Sequence, residues 1–477
     1  MGDTIERLEE FAAQLIDGAA HPPGPASAAV LTWIDSTLAP SLDACGPAEL
    51  AGLLRGLAGR FVPPGPSGAP SRGRPEVLPT GRNFYSLDTR STPTPSSWQL
   101  GWKSAQLLIE RHVQEHGAYP TTVALSAWGT ANMRTGGDDI AQGLALMGAK
   151  PIWEPATGRV TGFEILPAGL LDRPRVDVTL RVSGFFRDAF PNLIDLFDSA
   201  ARAVAALDEA EDINPLASRV RAETARLAAA GFDRDEAQRR AGYRVFGSKP
   251  GAYGAGLQAL IDEGGWHDTA DLAEAYLAWG GWAYGNGSEG AAAGEALRER
   301  LSRVEAVLHN QDNREHDLLD SDDYYQFEGG LAAAVQHLSG AAPKIYHNDH
   351  SRPELPRIRT LEEEIARVVR GRAVNPKFLA GIMRHGYKGG FELAATVDYL
   401  FAFAATTNAV ADHHFDAVFE AYLGDPAVLD FLDRHNPAAR AEIAARLNEA
   451  IDRALWRPRS NSARDRLAEL MRRGVPA

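Results

Sequence analysis

The segment Lys344-Ile345-Tyr346-His347-Asn348-Asp349-His350-Ser351 sets two imidazoles and a carboxylate within four residues. That donor set suits a borderline transition ion such as Co²⁺ or Zn²⁺. With ordinary pKa values of about 6.5, the same imidazoles can accept protons at neutral pH. A turn capped by Asx and His side chains is the plainer alternative. A longer constellation, His309-Asn310-Gln311-Asp312-Asn313-Arg314-Glu315-His316-Asp317, is followed by Asp320-Ser321-Asp322-Asp323-Tyr324-Tyr325. It mixes groups that move protons with groups that hold a divalent cation. Its ligand spacing and missing central glycine exclude a calcium loop, and composition alone reads as a solvated acidic loop. His112-Val113-Gln114-Glu115-His116 fits the H-x-x-E-H zinc pattern, and a helix would set both imidazoles on one face. Gly117 follows at once, so these residues equally read as the polar end of a helix. Arg384 to Gly390 reads as a helix end and a turn, while His413-His414 sits inside an apolar helical pattern.

Other chemistries are excluded. No Gly-Lys-Ser or Gly-Lys-Thr occurs, so the chain has no phosphate-binding loop of its own. No G-x-S-x-G nucleophile elbow occurs either. The 49 Lys plus Arg against 63 Asp plus Glu leave a formal charge of −14, which argues against a nucleic-acid partner. The single cysteine, Cys45, excludes an internal disulfide and every multi-cysteine metal site, and it suits a reducing, cytoplasmic setting. The first residues are acidic where an export signal would be basic. The longest apolar stretch, Tyr399 to Ala411, falls short of the ~20 residues needed to span a membrane.

At roughly 150 residues per domain, 477 residues suggest about three domains. Residues 1–61 show apolar residues at helical spacing and form an N-terminal helical segment. Residues 62–97 are a Pro/Gly-rich loop that holds neither helix nor ladder up to Pro79, and it runs into Leu78-Pro79-Thr80-Gly81-Arg82-Asn83-Phe84-Tyr85-Ser86-Leu87-Asp88. Residues 98–210 alternate helical patterns with strand-like runs at 121–127 and 176–182, which predicts a three-layer α/β region with parallel strands. Sites in such folds lie in the loops after the strands, here Trp128-Gly129-Thr130 and Ser183 to Asp188. Residues 211–477 read as a large, mainly helical C-terminal domain with no further sheet. The expected fold class is α/β plus mainly α.

The segments Leu78 to Asp88, His309 to His316, Asn375-Pro376-Lys377 and His385-Gly386-Tyr387-Lys388-Gly389 resemble the cobaltochelatase/magnesium chelatase large-subunit family, and the resemblance runs from about Ala51 to the C-terminus. It implies insertion of a divalent metal into a tetrapyrrole. In the cobalt branch Co²⁺ is the substrate, the acceptor is hydrogenobyrinic acid a,c-diamide, and the pathway is aerobic cobalamin biosynthesis. It further implies that ATP and Mg²⁺ are used by AAA+ ATPase partner subunits, which agrees with the missing phosphate loop. Insertion removes two pyrrole protons, so His347, Asp349 and His350 are expected at the metal-transfer step, as catalytic groups and metal ligands, with Glu315 and His316 assisting. Arg82, Asn83, Tyr85, Trp128 and Lys388 are expected to bind the macrocycle, the cations through its carboxylates and the aromatics by stacking.

Family members are more than twice this length and carry a His-Gly-x-x-Glu-Trp-Leu-Pro segment upstream that is missing here. The resemblance therefore implies the C-terminal portion of such a subunit, incomplete without its upstream half. Three alternatives stand beside it: a magnesium chelatase-type subunit acting on protoporphyrin IX, a non-catalytic tetrapyrrole-binding fragment, and a zinc hydrolase built on His112 and His116.

Overall fold

The computed structural model describes residues 2–67, 70, 75–85, 87–285 and 287–472. The chain divides between Leu87 and Asp88 into two units. The first holds helices Gly2–Ile16, Pro25–Trp33, Ala39–Asp43 and Cys45–Leu57, where apolar spacing predicts them. Its proline-rich stretch departs from expectation, because Pro64–Pro66 pairs in parallel with Asn83–Tyr85. A two-stranded ladder consists of edges only, and an edge tolerates the donor that proline lacks.

The second unit is built on an eight-stranded mixed sheet. Its strands are β1 (Thr122–Ala127), β2 (Asp177–Val182), β3 (Val245–Gly247), β4 (Trp282–Gly285), β5 (Ser288–Ala292), β6 (Ala306–Gln311), β7 (Lys344–Asp349) and β8 (Arg357–Thr360). Across the sheet the order is β8-β7-β6-β1-β2-β3-β4-β5. The five from β7 to β3 pair in parallel. Antiparallel pairings close both ends.

β3 through β8 all lie beyond residue 210, so the expected boundary there is not a boundary, and the region after it is not helical alone. The reason is composition. β3 has three residues, β4 and β5 are rich in Gly and Ala, and β6 and β7 end in polar side chains. None shows the β-branched run that marks a strand.

Helices α1 (Pro95–His116), α2 (Asp138–Met147) and α3 (Pro191–Ala205) cover one face. α1 starts on a Thr94 hydroxyl that accepts from the Ser97 N–H, with Pro95 at its first position, and it ends on Gly117 at φ 73°. Against the other face pack α4 (Thr269–Gly280), α5 (Gly330–Ser339), α6 (Leu361–Val368), α7 (Tyr387–Thr406) and α8 (Pro437–Asp452). Their Tyr276, Leu331, Ile365, Leu393 and Leu447 join Ala124, Phe246, Val307 and Ile345 of the sheet in one core. Among the described residues, no helix is long and apolar enough to cross a membrane.

β2 and β3 extend the sheet to one side of β1, while β6 and β7 extend it to the other. The crevice between the carboxyl ends of β1 and β6 is therefore a topological switch point, where open α/β sheets hold their ligands.

Close packing of α1 on α2 sets up one side of that crevice. A Cβ at Gly101 would stand 2.5 Å from the Gln142 nitrogen and 2.7 Å from the Ala141 carbonyl carbon. Ser104, one turn further along α1, thereby reaches the Gln142 side chain at 2.9 Å. Replacement of Gly101 by Leu should destabilise the unit by about 1–3 kcal/mol through overpacking, read as a lower denaturation midpoint with an unchanged slope.

Candidate functional site

β6 and β7 run in register, with His309 opposite His347, Asn310 opposite Asn348, and Gln311 opposite Asp349. Successive side chains leave opposite faces of a strand. His309, Gln311, His347 and Asp349 therefore point toward α5 and α6. Asn310, Asn348 and then His350 point toward α1 and α2.

On the first face His347 is buried and bonded at both ring nitrogens. Nδ1 lies 2.9 Å from Glu328 Oε2, and Nε2 lies 2.9 Å from Gln311 Oε1. The Gln311 amide is oriented by its own N–H₂, which donates to the His316 carbonyl at 2.5 Å. Both partners of the ring are therefore acceptors, which is the pattern an imidazolium satisfies. Burial opposes a charge on His347, but the Glu328 carboxylate outweighs it and the pKa moves upward.

His309 is the opposite case. It is 3% exposed and packed among Trp128, Tyr324 and His347 at ring separations of 4.7, 5.3 and 5.2 Å. Its Nδ1 has no hydrogen-bond partner among the described residues. Burial, reinforced by His347 and its neighbours, holds its pKa well below the usual value. An imidazole held toward its neutral form thus lies beside one held toward its charged form. The Tyr324 hydroxyl stands 2.9 Å from His316 Nδ1, and burial pushes that phenol well above its usual pKa.

Asp349 faces the same side but is engaged elsewhere. It accepts from Arg314, from Arg359 at 3.0 Å and from the Ser351 hydroxyl at 2.7 Å. Burial works against its charge, yet the Ser351 hydroxyl and the two guanidinium groups hold the carboxyl at about 2. The expected acidic loop after β6 is in fact braced by arginines. Arg134 grips Asp312 at 2.7 and 2.9 Å, and Arg372 grips Asp317 at 2.7 and 2.9 Å. Glu315 is exposed on this loop, and His316 is half-buried at its base.

On the second face His350 joins a sealed polar network. Its Nε2 is 2.7 Å from Ser104 Oγ, and its Nδ1 is 3.0 Å from Asp138 Oδ2. Asn310 donates to Asp139 Oδ1 and Gln142 Oε1, both at 2.8 Å, and accepts from Asn348 at 2.8 Å. Burial, with Asp138 alongside, pushes the Asp139 carboxyl well above the usual range. The Ser104–His350–Asp138 spacing matches a hydrolase triad. However, all three side chains are fully buried, and Ser104 already accepts from Gln142. The network ties α1 and α2 to the strand ends, and it offers no nucleophile to a substrate.

The structure therefore does not bring His347, Asp349 and His350 to one point. The strand sends His350 to the far face, His347 spends both nitrogens on partners, and Asp349 is neutralised by arginine. Among the described residues, no three His, Cys, Asp or Glu side chains gather as a metal cage. His112 and His116 share a helix face with ring centroids 4.4 Å apart, but Glu115 is taken by Arg111 at 2.8 Å and Tyr346 at 3.0 Å.

Trp128 lies at the end of β1, where it forms a wall between His309 and a cavity of about 250 Å³ whose lining includes Gly129, Ser183, Phe185, Tyr253 and Phe327. That volume is below the roughly 300–1,000 Å³ that encloses a drug-sized ligand, so the cavity is too small to enclose a whole macrocycle. Lys388 stands exposed at the start of α7, paired with Glu392 at 2.6 Å. Arg82 and Asn83 belong to the first unit, and the Tyr85 side chain lies outside the described residues.

Sequence reasoning missed Asp138, Asp139, Ser104 and Gln142, and it reached Glu328 only as the far bound of the polar constellation that starts at His309. A usable signal existed for some of them. Polar Ser104 and Gln142 interrupt otherwise apolar helix faces, and Asp138-Asp139 follow the Gly136-Gly137 pair at a helix start. Glu328 lies in an aromatic run and gives no such sign.

The His347 pKa is raised, so its contribution to stability is complete below the ordinary value near 6.5 and is lost as pH rises through the higher folded value. Glu328→Gln should remove the main opposition to burial and lower the His347 pKa, as followed by NMR titration of the ring protons. An unmoved titration would show that Glu328 does not hold the proton there.

Relatives agree with this architecture. The aerobic cobaltochelatase subunit CobN of a Sinorhizobium species is 64% identical over 469 residues, covering 98% of this chain and 37% of that protein. A magnesium-chelatase subunit of Rhodobacter capsulatus is 35% identical over 413 residues, covering 86% of this chain and 34% of its own. The solved catalytic subunit of cobaltochelatase from Mycobacterium tuberculosis superposes with a TM-score of 0.89 at 44% identity, covering 98% of this chain and 39% of that one. The chain thus spans little more than a third of the length of the relatives it matches. The family described as CobN/Magnesium Chelatase matches residues 3–463, and the chain belongs to it.

Proposed function

We propose that this chain works as part of an ATP-dependent cobaltochelatase that inserts Co²⁺ into hydrogenobyrinic acid a,c-diamide in aerobic cobalamin biosynthesis. The observation that carries the reading is the in-register pair His309 and His347 beside the switch point, the first with its pKa held down and the second with its pKa raised, in a chain of this family. The higher identity to a cobalt-branch relative than to a magnesium-branch one favours cobalt over magnesium.

Insertion replaces two pyrrole N–H bonds by bonds to the metal and releases two protons. His309 accepts one of them at its unpartnered ring nitrogen. The Glu328 carboxylate, oriented by His347 Nδ1 at 2.9 Å, accepts the other at its second oxygen, which has no partner among the described residues. His316 and Glu315, which run outward along the loop after β6, hand protons on to solvent. Co²⁺ is substrate in this scheme and meets the neutral His309 ring only in passing, since no cage of carboxylates and imidazoles holds it among the described residues. Trp128 stacks on the edge of the macrocycle. Lys388 serves its periphery, together with groups of the remaining large subunit. ATP and Mg²⁺ are handled by AAA+ ATPase partners, in keeping with the missing phosphate loop, and the assembly is cytoplasmic.

The test is Co²⁺ insertion followed by absorbance, using the chain with the rest of the large subunit and the ATPase partners. His309→Ala and Glu328→Gln should each slow insertion by roughly 10²–10⁴-fold, the span of general acid–base catalysis, while leaving macrocycle binding within a few-fold. No binding of the metal-free macrocycle, or unchanged rates in both variants, would overturn the reading.

A further inference from the structure

We propose that the groove between α1 and β8 is a binding site for a small polyanion carrying at least two carboxylate or phosphate groups. The groove has a volume of about 610 Å³ and opens widely to solvent. Five arginines line it: Arg111, Arg357, Arg359, Arg367 and Arg370. Only two carboxylates, Glu110 and Glu363, share the lining. This is a local excess of positive charge on a chain whose total is −14.

Three of the five are already spoken for. Arg111 donates to Glu363 at 2.8 and 2.9 Å and to Glu115 at 2.8 Å. Arg359 donates to Asp349 at 3.0 Å and Glu364 at 3.3 Å, and Arg367 donates to Glu364 at 2.9 Å. Arg357 and Arg370 are exposed and form no ion pair among the described residues. Two guanidinium forks at the rim of one groove, each able to grip a planar carboxylate or a phosphate at two points, suit a ligand with two anionic ends.

The geometry also argues against a bound peptide strand. β8 is the edge of the sheet, where an extended segment would add. Its Ile358 carbonyl, however, already accepts from the Arg111 guanidinium at 2.7 Å. Edge pairing is blocked by a cation, and an added cation at an edge attracts small anions while discouraging another strand.

The groove is connected to the histidine face through one residue. Arg359 stands opposite His347 across the β7–β8 ladder and donates to Asp349. An anion that draws on Arg359 thus competes with Asp349 beside the proposed proton acceptors.

Calorimetric titration of the whole chain with inorganic pyrophosphate and with citrate tests the site. Wild type should bind at least one probe, more weakly as salt rises. Arg357→Glu with Arg370→Glu should weaken binding at least about tenfold, with an unchanged circular-dichroism spectrum. Arg357→Lys with Arg370→Lys keeps the charge but loses the forks, and it should fall between the two. Tighter binding of pyrophosphate identifies a phosphate ligand, and tighter binding of citrate identifies a carboxylate ligand. Equal affinity of wild type and the glutamate variant, or no binding of any probe, overturns the proposal. Neither outcome bears on the chelatase reading, because Arg357 and Arg370 take no part in the His309–His347 cluster.

Discussion

A charged imidazole can be buried only if both of its N–H groups find acceptors, and most of this site follows from meeting that demand at His347. One acceptor, Gln311, comes from the neighbouring strand, and its amide is fixed by the loop that follows. The other, Glu328, comes from the helical turn that leads into α5. Register between β6 and β7, the path of the acidic loop and the docking of α5 must all be correct at once. Each is secured by its own interactions, notably the arginine clamps on Asp312 and Asp317.

The two faces of the same strands divide the work. Toward α1 and α2, amide, hydroxyl, carboxyl and imidazole groups bond to one another in a buried layer that serves as a fastener, with the Asn132 and Asn348 amide oxygens left over. Toward α5 and α6, Nδ1 of His309, the Trp128 indole nitrogen and one oxygen of Glu328 are left without partners among the described residues. Buried polar groups are costly when unpaired. The sealed Ser104–His350–Asp138 arrangement shows why distances alone do not define an active centre.

Electrostatics separates residues that look equivalent on paper. Three imidazoles lie on or just beyond the ends of β6 and β7, yet His347 is held toward its charged form and His309 toward its neutral form by what surrounds them. Asp349, chemically the obvious metal ligand, is drawn to the arginines that also serve Glu364.

Much is legible in the residues alone. Apolar periodicity locates α2 and the helix end at His116, β-branched runs locate β1 and β2, and the loop after β1 stands out as a site because strand-to-helix turns open at that edge. The polar segments at 309–317 and 344–351 stand out in composition, although the first reads equally as a solvated acidic loop and the second as a capped turn. What the residues do not disclose is that both segments begin as buried strands. A strand that ends in His, Asn, Gln and Asp has no propensity signature, because its stability comes from neighbours in space. Local order thus decided which groups were available. Only the folded sheet, through the alternation of side chains and the partners each face supplies, decided that His309, His347 and Glu328 stand together while His350 is turned away.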